Sequence, residues 1–225
     1  MKLRGKFPRL YPILDAGYLP AEGRAEFLAR LIGELADAGV EILQYRNKLD
    51  NEAELLADAR VMREAAGDRM LLMMNDWPRL AVEAGFDGVH VGQADLSPAE
   101  ARAIVGPERV VGISTHNEAQ LRTANAAPVD YVAIGPVYAT STKDNPEPDV
   151  GLQGVRMARR ETRKPLVAIG GITAENAADV WAAGADSVAV IAAVFGPGGD
   201  PAGRARVFLR RADATKSQAK GMQRY

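Results

Sequence analysis

Residues 131–143 join a strand-like apolar run to hydroxyl and ammonium groups that a hydrophobic core does not need. The apolar run ends at Gly135-Pro136, because Pro136 has no backbone N–H to donate to a neighbouring strand. The polar groups that follow are Thr140, Ser141, Thr142 and Lys143. Hydroxyl donors beside a positive charge predict a loop that holds an anion. A solvated Thr/Ser turn with a surface lysine is the alternative interpretation.

A second group of cations closes another apolar run, where the chain reads Gln44-Tyr45-Arg46-Asn47-Lys48. Because side chains alternate across a strand, Gln44, Arg46 and Lys48 share one face, whereas Tyr45 and Asn47 share the other. A strand that is covered by a helix turns its apolar face toward that helix. The face with two cations is therefore predicted to point into a ligand site, and a charged strand end in solvent is the alternative.

Two aspartates follow two further strands of the predicted sheet. Asp76 comes directly after Asn75 at the end of one strand, and Asp95 comes shortly after the next strand. Neighbouring strands lie about 4.8 Å apart, so the two carboxylates could share one hard cation such as Mg²⁺. Such a cation would keep coordination positions for water and a substrate phosphate. Alternatively, Asp76 caps the following helix and Asp95 stabilises the turn before Ser97.

The chain contains two histidines, and their positions suggest different roles. His90 lies inside a strand pattern, which is typical of a core histidine whose hydrogen bonds are satisfied. His116 follows the strand end at Ser114-Thr115 and is therefore a candidate for acid–base chemistry near the strand ends that carry the cations and the aspartates.

Eight strand–helix units must position these groups. The predicted strands cover residues 10–14, 42–45, 70–74, 88–91, 110–114, 131–135, 166–170 and 187–192. The predicted helices cover residues 22–38, 52–65, 78–84, 98–105, 118–126, 152–160, 174–182 and 201–212. Apolar strands that alternate with helices indicate a parallel sheet of the α/β class, and eight units predict a single (β/α)8 TIM barrel. A doubly wound open sheet is the alternative, because periodicity does not reveal closure.

Four boundaries between a helix and the next strand share one pattern, in which a small or turn residue is followed by an acid. They read Ala38-Gly39-Val40-Glu41, Ala84-Gly85-Phe86-Asp87, Ala127-Pro128-Val129-Asp130 and Ala183-Gly184-Ala185-Asp186. The pattern recurs after every second unit, which indicates an internally repeated barrel. Since these acids precede strands, we interpret them as structural groups at the end of the barrel opposite the site.

In a barrel of this kind, the loops after strands seven and eight usually form a phosphate site. Gly171 follows strand seven, and Val190, Ile191 and Ala192 lie at the end of strand eight. Small residues let backbone N–H groups approach an oxyanion closely. Two anion sites and an acid pair in one mouth predict two phosphorylated substrates, or one phosphorylated substrate and a diphosphate.

Composition limits the class of protein. The 225 residues are enough for one barrel domain, which we place at residues 1–212, with a flexible C-terminal tail at residues 213–225 that lacks apolar periodicity. A net charge of −1 gives no general attraction to nucleic acid or to a membrane. The absence of cysteine excludes disulfides and thiolate metal sites. Neither end resembles a signal peptide or a membrane span, so we expect a cytoplasmic protein with small-molecule partners.

The motifs that carry these groups resemble those of the thiamine phosphate synthase family. They are Gln44-Tyr45-Arg46-Asn47-Lys48, Asn75-Asp76, Gly88-Val89-His90-Val91-Gly92-Gln93 with Asp95, Gly112-Ile113-Ser114, Gly135 to Lys143, and Val167-Ala168-Ile169-Gly170-Gly171-Ile172. They follow one another in the family's order between residues 10 and 210. Each motif alone is weak, whereas the ordered set is specific.

The resemblance implies that the chain joins hydroxymethylpyrimidine diphosphate to hydroxyethylthiazole phosphate, and that Mg²⁺ is the cofactor. The products would be thiamine phosphate and pyrophosphate. The implied diphosphate ligands are Arg46, Lys48, Asn75 and Lys143, the metal ligands are Asp76 and Asp95, and the pyrimidine contacts are Gln44 and Ser114. The implied thiazole phosphate contacts are Thr140, Thr142, Gly171 and the backbone of Val190, Ile191 and Ala192. Lys143, Arg46 and Ser114 are the expected catalytic residues.

Two residues depart from the family pattern, and two other functions stay open. Trp77 stands where the family usually has arginine, and Ala192 stands where it often has serine, which puts one cation and one hydroxyl contact in question. A related thiazole tautomerase would use His116 as a proton shuttle and would need no metal pair. A phosphate-binding barrel without catalysis is the remaining alternative. Retention of both Asp76 and Asp95 argues against these two functions.

Overall fold

Eight strands alternate with helices along the chain, whose computed structural model describes residues 6–48, 51–140 and 148–222, with side chains through residue 215. The strands are β1 Leu10–Asp15, β2 Ile42–Arg46, β3 Leu71–Asn75, β4 Gly88–Val91, β5 Val110–Thr115, β6 Tyr131–Ile134, β7 Leu166–Ile169 and β8 Ser187–Val190. The helices are α1 Arg24–Asp37, α2 Glu52–Ala66, α3 Pro78–Glu83, α4 Pro98–Val105, α5 Glu118–Ala126, α6 Gly151–Glu161, α7 Ala177–Ala182, α8 Ala192–Phe195 and α9 Pro201–Met222.

The strands close into a parallel barrel, in which each strand pairs with the next and β8 pairs with β1. This closure confirms the predicted TIM barrel and excludes the open sheet. The register sets Asp15 beside Arg46 and Asn75 beside His90. Because all strands are parallel, their C-terminal ends meet at one rim, and the polar residues that follow them are brought together there.

Two buried clusters hold the barrel together. The larger one fills the space between the strands and the helices and includes the apolar faces of α1, α2, α5 and α9. The smaller one fills the barrel interior, where Phe7, Tyr11 and Tyr131 pack with aliphatic side chains from the strands. The ring of Phe7 lies 5.1 Å from that of Tyr131 and 6.3 Å from that of Tyr11. The interior below the rim is therefore a packed core and not an open channel.

Helix starts follow the local sequence closely. Ser97 Oγ accepts a hydrogen bond from the backbone N–H of Glu100 at 3.3 Å, and Glu100 Oε2 accepts from the backbone N–H of Ser97 at 2.9 Å. This reciprocal capping box begins α4 at Pro98, where the sequence predicts it. Asn117 Oδ1 caps α5 in a similar way by accepting from Gln120 at 3.0 Å.

Two predicted boundaries at the C-terminal end of the chain differ from the structure. β8 ends at Val190 and the short helix α8 begins at Ala192, although residues 187–192 were predicted as one strand. The backbone of Ile191 turns the chain, with φ of −110° and ψ of −84°. Helix α9 continues to Met222, ten residues beyond the predicted end at Ala212, because its alanines, lysines and glutamine favour a helix without an apolar stripe. The division into a domain and a flexible tail stays a prediction.

Acid–arginine pairs recur at the N-terminal end of the barrel. The pairs are Arg63–Asp87 at 2.7 Å, Arg102–Asp130 at 2.5 Å and Arg159–Asp186 at 2.8 Å. Each of these acids also accepts a backbone hydrogen bond, from Leu72 at 2.9 Å, Val111 at 2.7 Å and Leu166 at 2.9 Å, respectively. The structural interpretation of these three repeated acids is confirmed.

Across the described helices, no segment combines the length and the apolar character that crossing a membrane requires.

Candidate active site

The outer face of β2 is anchored to helices α1 and α2. The Tyr45 hydroxyl donates to the carboxylate of Asp58, which is 4% exposed, and Arg24 donates to the same carboxylate at 2.7 to 3.0 Å. Asn47 Nδ2 donates to the Tyr45 oxygen at 3.2 Å. These contacts place Tyr45 and Asn47 away from the mouth of the barrel, as the alternation along the strand predicts.

The opposite face of β2 points into the barrel and toward its rim. Gln44 is buried, and its Nε2 donates to the Tyr11 hydroxyl at 3.1 Å. Arg46 is 19% exposed in its side chain and forms an ion pair with Asp15 at the end of β1. Sequence reasoning missed Asp15, although an acid that directly follows an apolar strand is the signal that marks the rim in this chain.

Asp76 combines a left-handed backbone with a crowded carboxylate. Its φ is 65°, which a residue with a Cβ adopts at a cost, and its N–H donates to the carbonyl of His90 at 2.8 Å. Lys48 forms an ion pair with its carboxylate. Burial raises the pKa of Asp76, and so do a hydrogen bond and repulsion from Asp95, while Lys48 acts in the opposite direction. The raised pKa means that the negative charge of Asp76 is unfavourable in this site.

The two acids differ in their contacts with the local backbone. Asp76 is not a helix cap, because the N-cap residue of α3 is Trp77 and the described part of the chain supplies no side-chain cap there. Asp95 does stabilise a turn, since its Oδ2 accepts from the Gly92 N–H at 2.7 Å. Within the described residues, no group of three or more acids or histidines is placed so that it could hold a metal ion.

Asn75 is a buried amide with an unused donor. It is 8% exposed, and its Nδ2 has no hydrogen-bond partner among the residues that the structure describes. A buried donor without a partner costs about 1 to 3 kcal/mol, so such groups are uncommon unless a ligand or a water satisfies them. Asn75 ends β3 beside Asp76, and its amide is therefore available to an anion bound at this rim.

Ser114 and Gln44, both predicted at the pyrimidine end of the site, belong to one buried set of hydrogen bonds. His90 connects to Ser114 Oγ through Nε2 at 2.9 Å and to the Tyr131 hydroxyl through Nδ1 at 2.8 Å. The Tyr131 hydroxyl lies 3.0 Å from the Tyr11 hydroxyl, which accepts from Gln44. The prediction that His90 is a satisfied core histidine is confirmed.

His116 lies at the rim with one ring nitrogen engaged. Its Nδ1 donates to the carbonyl oxygen of Gly135 at 2.7 Å, and its backbone N–H donates to Gln120 Oε1 at 2.7 Å. A carbonyl oxygen only accepts hydrogen bonds, so the proton of a neutral His116 ring resides on Nδ1. The side chain thus ties the end of β5 to the end of β6.

The loops after β6 and β7 pack against each other. Val137 donates to the carbonyl of Ile169 at 2.8 Å, and Tyr138 donates to the carbonyl of Gly170 at 3.0 Å. Gly171 has φ of 62°, and a Cβ built on it would lie 2.7 Å from the carbonyl oxygen of Ala139. Only glycine allows this approach, which brings the segment that leads to Thr140 onto the backbone of the β7 loop.

The remaining predicted ligands lie on the neighbouring strand or outside the described residues. β7 pairs with β8 in a register that sets Ile169 beside Ala189, so Val190, Ile191 and Ala192 follow at the same rim as Gly171. Thr142 and Lys143 lie outside the residues that the structure describes, together with Ser141. Their predicted contacts stay predictions.

Comparison with known proteins gives a consistent result. The family described as thiamine monophosphate synthase matches residues 10–194. A thiamine-phosphate synthase of Koribacter versatilis is 52% identical over 205 residues, which are 91% of this chain and 96% of that relative. The thiamine-phosphate synthase of Methanoculleus marisnigri is 44% identical over 86% of this chain and 90% of its own length. Among solved structures, thiamine phosphate pyrophosphorylase from Pyrococcus furiosus aligns with a TM-score of 0.80 and 26% identity, and covers 92% of this chain and 96% of its own.

Proposed function

The chain belongs to the thiamine monophosphate synthase family, and we propose that this transferase joins hydroxymethylpyrimidine diphosphate to hydroxyethylthiazole phosphate, releasing pyrophosphate. The observation that carries the proposed site is the convergence of Arg46, Lys48, Asn75 and Asp76 at the ends of two adjacent strands. This edge offers two cations and an unused amide donor to a diphosphate. It also offers a carboxylate to a divalent cation.

The diphosphate is held by Arg46, Lys48, Asn75 and Lys143. Arg46 and Lys48 form ion pairs with Asp15 and Asp76, so phosphate oxygens must compete with these carboxylates. Lys48 is 55% exposed in its side chain, whereas Asp76 is 13% exposed. When a diphosphate takes Lys48 away from Asp76, a divalent cation would replace the lost positive charge beside this partly buried carboxylate.

Asp76 and Asp95 fit a Mg²⁺ ion. Mg²⁺ is usually bound through one or two protein carboxylates together with waters and substrate phosphates, so a larger cluster of acids is not required. Burial, followed by the interaction with Asp95, raises the pKa of Asp76, and a divalent cation would favour the charged form of this carboxylate. When bound, the ion would neutralise negative charge that develops on the departing pyrophosphate.

The reaction needs no protein nucleophile. The bond between the pyrimidine methylene carbon and the diphosphate oxygen breaks, and both electrons leave with pyrophosphate. The aminopyrimidine ring delocalises the positive charge on the methylene carbon, and the thiazole nitrogen then forms the new C–N bond. Arg46 and Lys143 stabilise the leaving group through their charges, and Ser114 contributes a hydroxyl donor near the pyrimidine.

The thiazole phosphate binds on the other side of the mouth, between the loops after β6, β7 and β8. Its ligands are Thr140, Thr142, Gly171 and the backbone of Val190, Ile191 and Ala192. The packing of Tyr138 and Ala139 on Gly171 supports this assignment, because it brings the segment that leads to Thr140 next to the glycine backbone. Ala192 removes a hydroxyl that many family members have, so the backbone has the larger share of the binding.

The two alternative functions have less support. A tautomerase would use His116 as a proton shuttle, and it would leave the acid pair that follows β3 and β4 without a role. A non-catalytic barrel would not need Asp76 to carry an unfavourable charge. The relatives compared above are thiamine-phosphate synthases, in agreement with the proposed transferase.

The direct test is product formation from the two substrates, followed by chromatography of thiamine phosphate with Mg²⁺ and with EDTA. We expect turnover only with the divalent cation. The Lys143→Ala variant should lose most of the turnover at saturating substrate and keep its melting temperature. Lys6→Ala is the matched control, because Lys6 is exposed and precedes β1 at the opposite end of the barrel. Absence of product from the parent protein under these conditions would contradict the proposed function.

A further inference from the structure

Four consecutive hydrogen bonds cross the interior of the barrel and join side chains from five strands. They run from Gln44 on β2 to Tyr11 on β1 at 3.1 Å, then to Tyr131 on β6 at 3.0 Å, to His90 on β4 at 2.8 Å and to Ser114 on β5 at 2.9 Å. Gln44, Tyr11, Tyr131 and His90 are all buried. The first and last residues of this hydrogen-bonded series, Gln44 and Ser114, are the two residues proposed to contact the pyrimidine.

The number of protons on each group fixes the direction of these bonds. Gln44 Nε2 is a donor, so the Tyr11 oxygen accepts from it. Each phenol has one proton, and in the described part of the chain Tyr131 is the remaining group within hydrogen-bonding distance of the Tyr11 hydroxyl. If Tyr131 donated to Tyr11, the Tyr11 proton would be buried without an acceptor, which is unfavourable. Tyr11 therefore donates to Tyr131.

The same proton count fixes the direction of the two remaining hydrogen bonds, from Tyr131 to His90 and from His90 to Ser114. Tyr131 accepts from Tyr11, so its own proton goes to His90 Nδ1. The proton of the neutral imidazole then resides on Nε2 and is donated to Ser114 Oγ. Ser114 accepts from His90, which leaves its hydroxyl proton for a group bound in the mouth.

We propose that His90 is a positioning residue, held in the Nε2–H tautomer by Tyr131 and Tyr11, and that this polarity makes Ser114 a hydrogen-bond donor and Gln44 an acceptor toward the substrate. The inference rests on the proposed function and adds a specificity determinant to it. Gln44 uses its Nε2 on Tyr11, so its Oε1 is the atom available to a ligand. The mouth is then complementary to a ring that presents a donor at one end and an acceptor at the other. An aminopyrimidine has this pattern, with an exocyclic amine and ring nitrogens.

The surroundings hold the two tyrosines in place. Gly112 lies under the ring of Tyr131, where a Cβ would be only 2.0 Å from Cζ, so no larger residue fits there without moving the phenol. The imidazole of His90 stacks on the same ring with centroids 5.5 Å apart. Burial raises the pKa of both Tyr11 and Tyr131, which keeps the phenols protonated and able to donate.

The same four hydrogen bonds have one alternative arrangement, in which every donor and acceptor is exchanged. If the Gln44 amide were rotated so that Oε1 faced Tyr11, all four bonds would reverse. His90 would then carry its proton on Nδ1, and Ser114 would donate to His90 instead of to the ligand. The tautomer of His90 therefore shows in which direction all four hydrogen bonds run, and it can be determined without substrate.

The experiment is a two-bond ¹H–¹⁵N correlation spectrum of the full-length ¹⁵N-labelled protein, without ligand and at mildly alkaline pH. The chain contains two histidines, and a His116→Gln variant assigns them. His116 is an internal reference, because its bond to the Gly135 carbonyl requires the Nδ1–H form. We expect opposite tautomers, with Nε2–H at His90. An Nδ1–H or doubly protonated His90 would overturn the proposal.

Removing one hydroxyl tests which group sets the tautomer. In Tyr131→Phe, His90 Nδ1 loses its donor, and its ¹⁵N resonance should move toward the average of the two tautomers. Tyr45→Phe is the matched control, because it removes a buried phenol hydroxyl from the outer face of β2 and should leave both histidine spectra unchanged. An unchanged tautomer in Tyr131→Phe would show that the phenol does not set it, and the proposal would fail.

Kinetics separate positioning from structure. His90→Gln can still donate to Ser114, whereas His90→Leu cannot. We expect the glutamine variant to keep kcat/KM for the diphosphate substrate within about tenfold of the parent and the leucine variant to lose about a hundredfold, since each tenfold corresponds to about 1.4 kcal/mol. Equal losses in the two variants would contradict the proposal. If the parent protein lacks synthase turnover while His90 has the Nε2–H tautomer, the proposed function is wrong, but the proposed direction of the four hydrogen bonds is correct.

Discussion

The two ends of the barrel use the same residue types, acids and cations next to strand termini, in opposite ways. At the N-terminal end, Asp87 accepts a backbone hydrogen bond and pairs with Arg63, which also donates to backbone carbonyls. At the C-terminal end, Asp76 has a left-handed backbone and a raised pKa, and Nδ2 of the neighbouring Asn75 has no hydrogen-bond partner among the described residues. The charge of Asp87 is thus satisfied within the protein, whereas the charge of Asp76 is unfavourable where it lies.

This difference separates stability from function within one fold. A charge that is paired and also hydrogen-bonded to the backbone, such as that of Asp87, contributes to folding. Charges that repel each other, or that lack partners, cost folding free energy and gain their partners from a substrate or a cation. The comparison predicts that mutations at the mouth change turnover more than stability, and that mutations at the opposite end do the reverse.

Removal of an acid at the mouth is expected to lower turnover more than any other change. Two carboxylates near a diphosphate repel it by about 4 kcal/mol for each close pair at an effective dielectric constant of 20, and a divalent cation reverses that sign. Asp76→Ala and Asp95→Ala should lower turnover about a thousandfold and remove the coupling between Mg²⁺ and pyrophosphate binding in calorimetric titrations. Asp37→Ala, at an exposed acid of α1, is the control. Normal coupling and turnover in both variants would eliminate the metal pair.

A smaller effect is expected when the thiazole loses its phosphate. The proposed site around Gly171 binds the anion mainly through backbone N–H groups, which a neutral alcohol cannot engage with the same strength. We expect thiazole alcohol to bind about a hundredfold more weakly than thiazole phosphate, a difference of roughly 2.7 kcal/mol. Calorimetry with both compounds measures this ratio. Comparable affinities would place the phosphate elsewhere.

At the opposite end of the barrel, the expected effect is on stability. Asp87→Ala removes an ion pair with Arg63 and an acceptor for the Leu72 N–H, and hydrogen bonds to charged groups contribute about 1.5 to 3 kcal/mol each. We expect the free energy of unfolding to fall by about 2 to 3 kcal/mol in denaturant titrations. Turnover per folded molecule should be unchanged. A large loss of turnover without a loss of stability would mean that this end contributes to the site.

Sequence reasoning predicted those parts of the molecule that depend on local pattern. Eight strand–helix units follow from apolar periodicity, and the alternation along β2 correctly separates Gln44 from Tyr45. The capping box at Ser97 fixes the start of α4. The repeated acids were assigned to the structural end because each one precedes a strand. These features depend on neighbours in the sequence, which is why a single sequence reveals them.

The features that sequence reasoning missed depend on closure of the barrel. Tyr11 and Tyr131 are 120 residues apart, and they meet only because β1 and β6 face each other across a closed interior. Asp15 becomes a partner of Arg46 through the register of two strands. The raised pKa of Asp76 arises from burial and from Asp95 on the next loop. Periodicity carries no information about such contacts, because they are set by register and by the tilt of the strands.

One residue at the mouth, Asp76, is expected to destabilise the protein by a small amount. The raised pKa of Asp76 means that burial and Asp95 outweigh the favourable pair with Lys48. The Asp76→Asn variant keeps the shape of the side chain, tolerates the left-handed backbone and removes the charge. At neutral pH and with EDTA present, we expect this variant to be more stable than the parent by on the order of 1 kcal/mol, the usual size of a single-site effect.

The sign of its pH dependence follows from proton binding. Asp76 holds its proton to a higher pH in the folded state than in the unfolded state, so the folded protein binds more protons between the two pKa values. Its contribution to the free energy of unfolding therefore falls as the pH rises through that window. The advantage of the Asp76→Asn variant should be absent below the ordinary aspartate pKa, grow through the window and then stay constant. Chemical unfolding of both proteins at matched pH values measures the difference. A variant that is less stable than the parent at neutral pH would show that Asp76 is satisfied like Asp87, and the contrast between the two ends would fail at this residue.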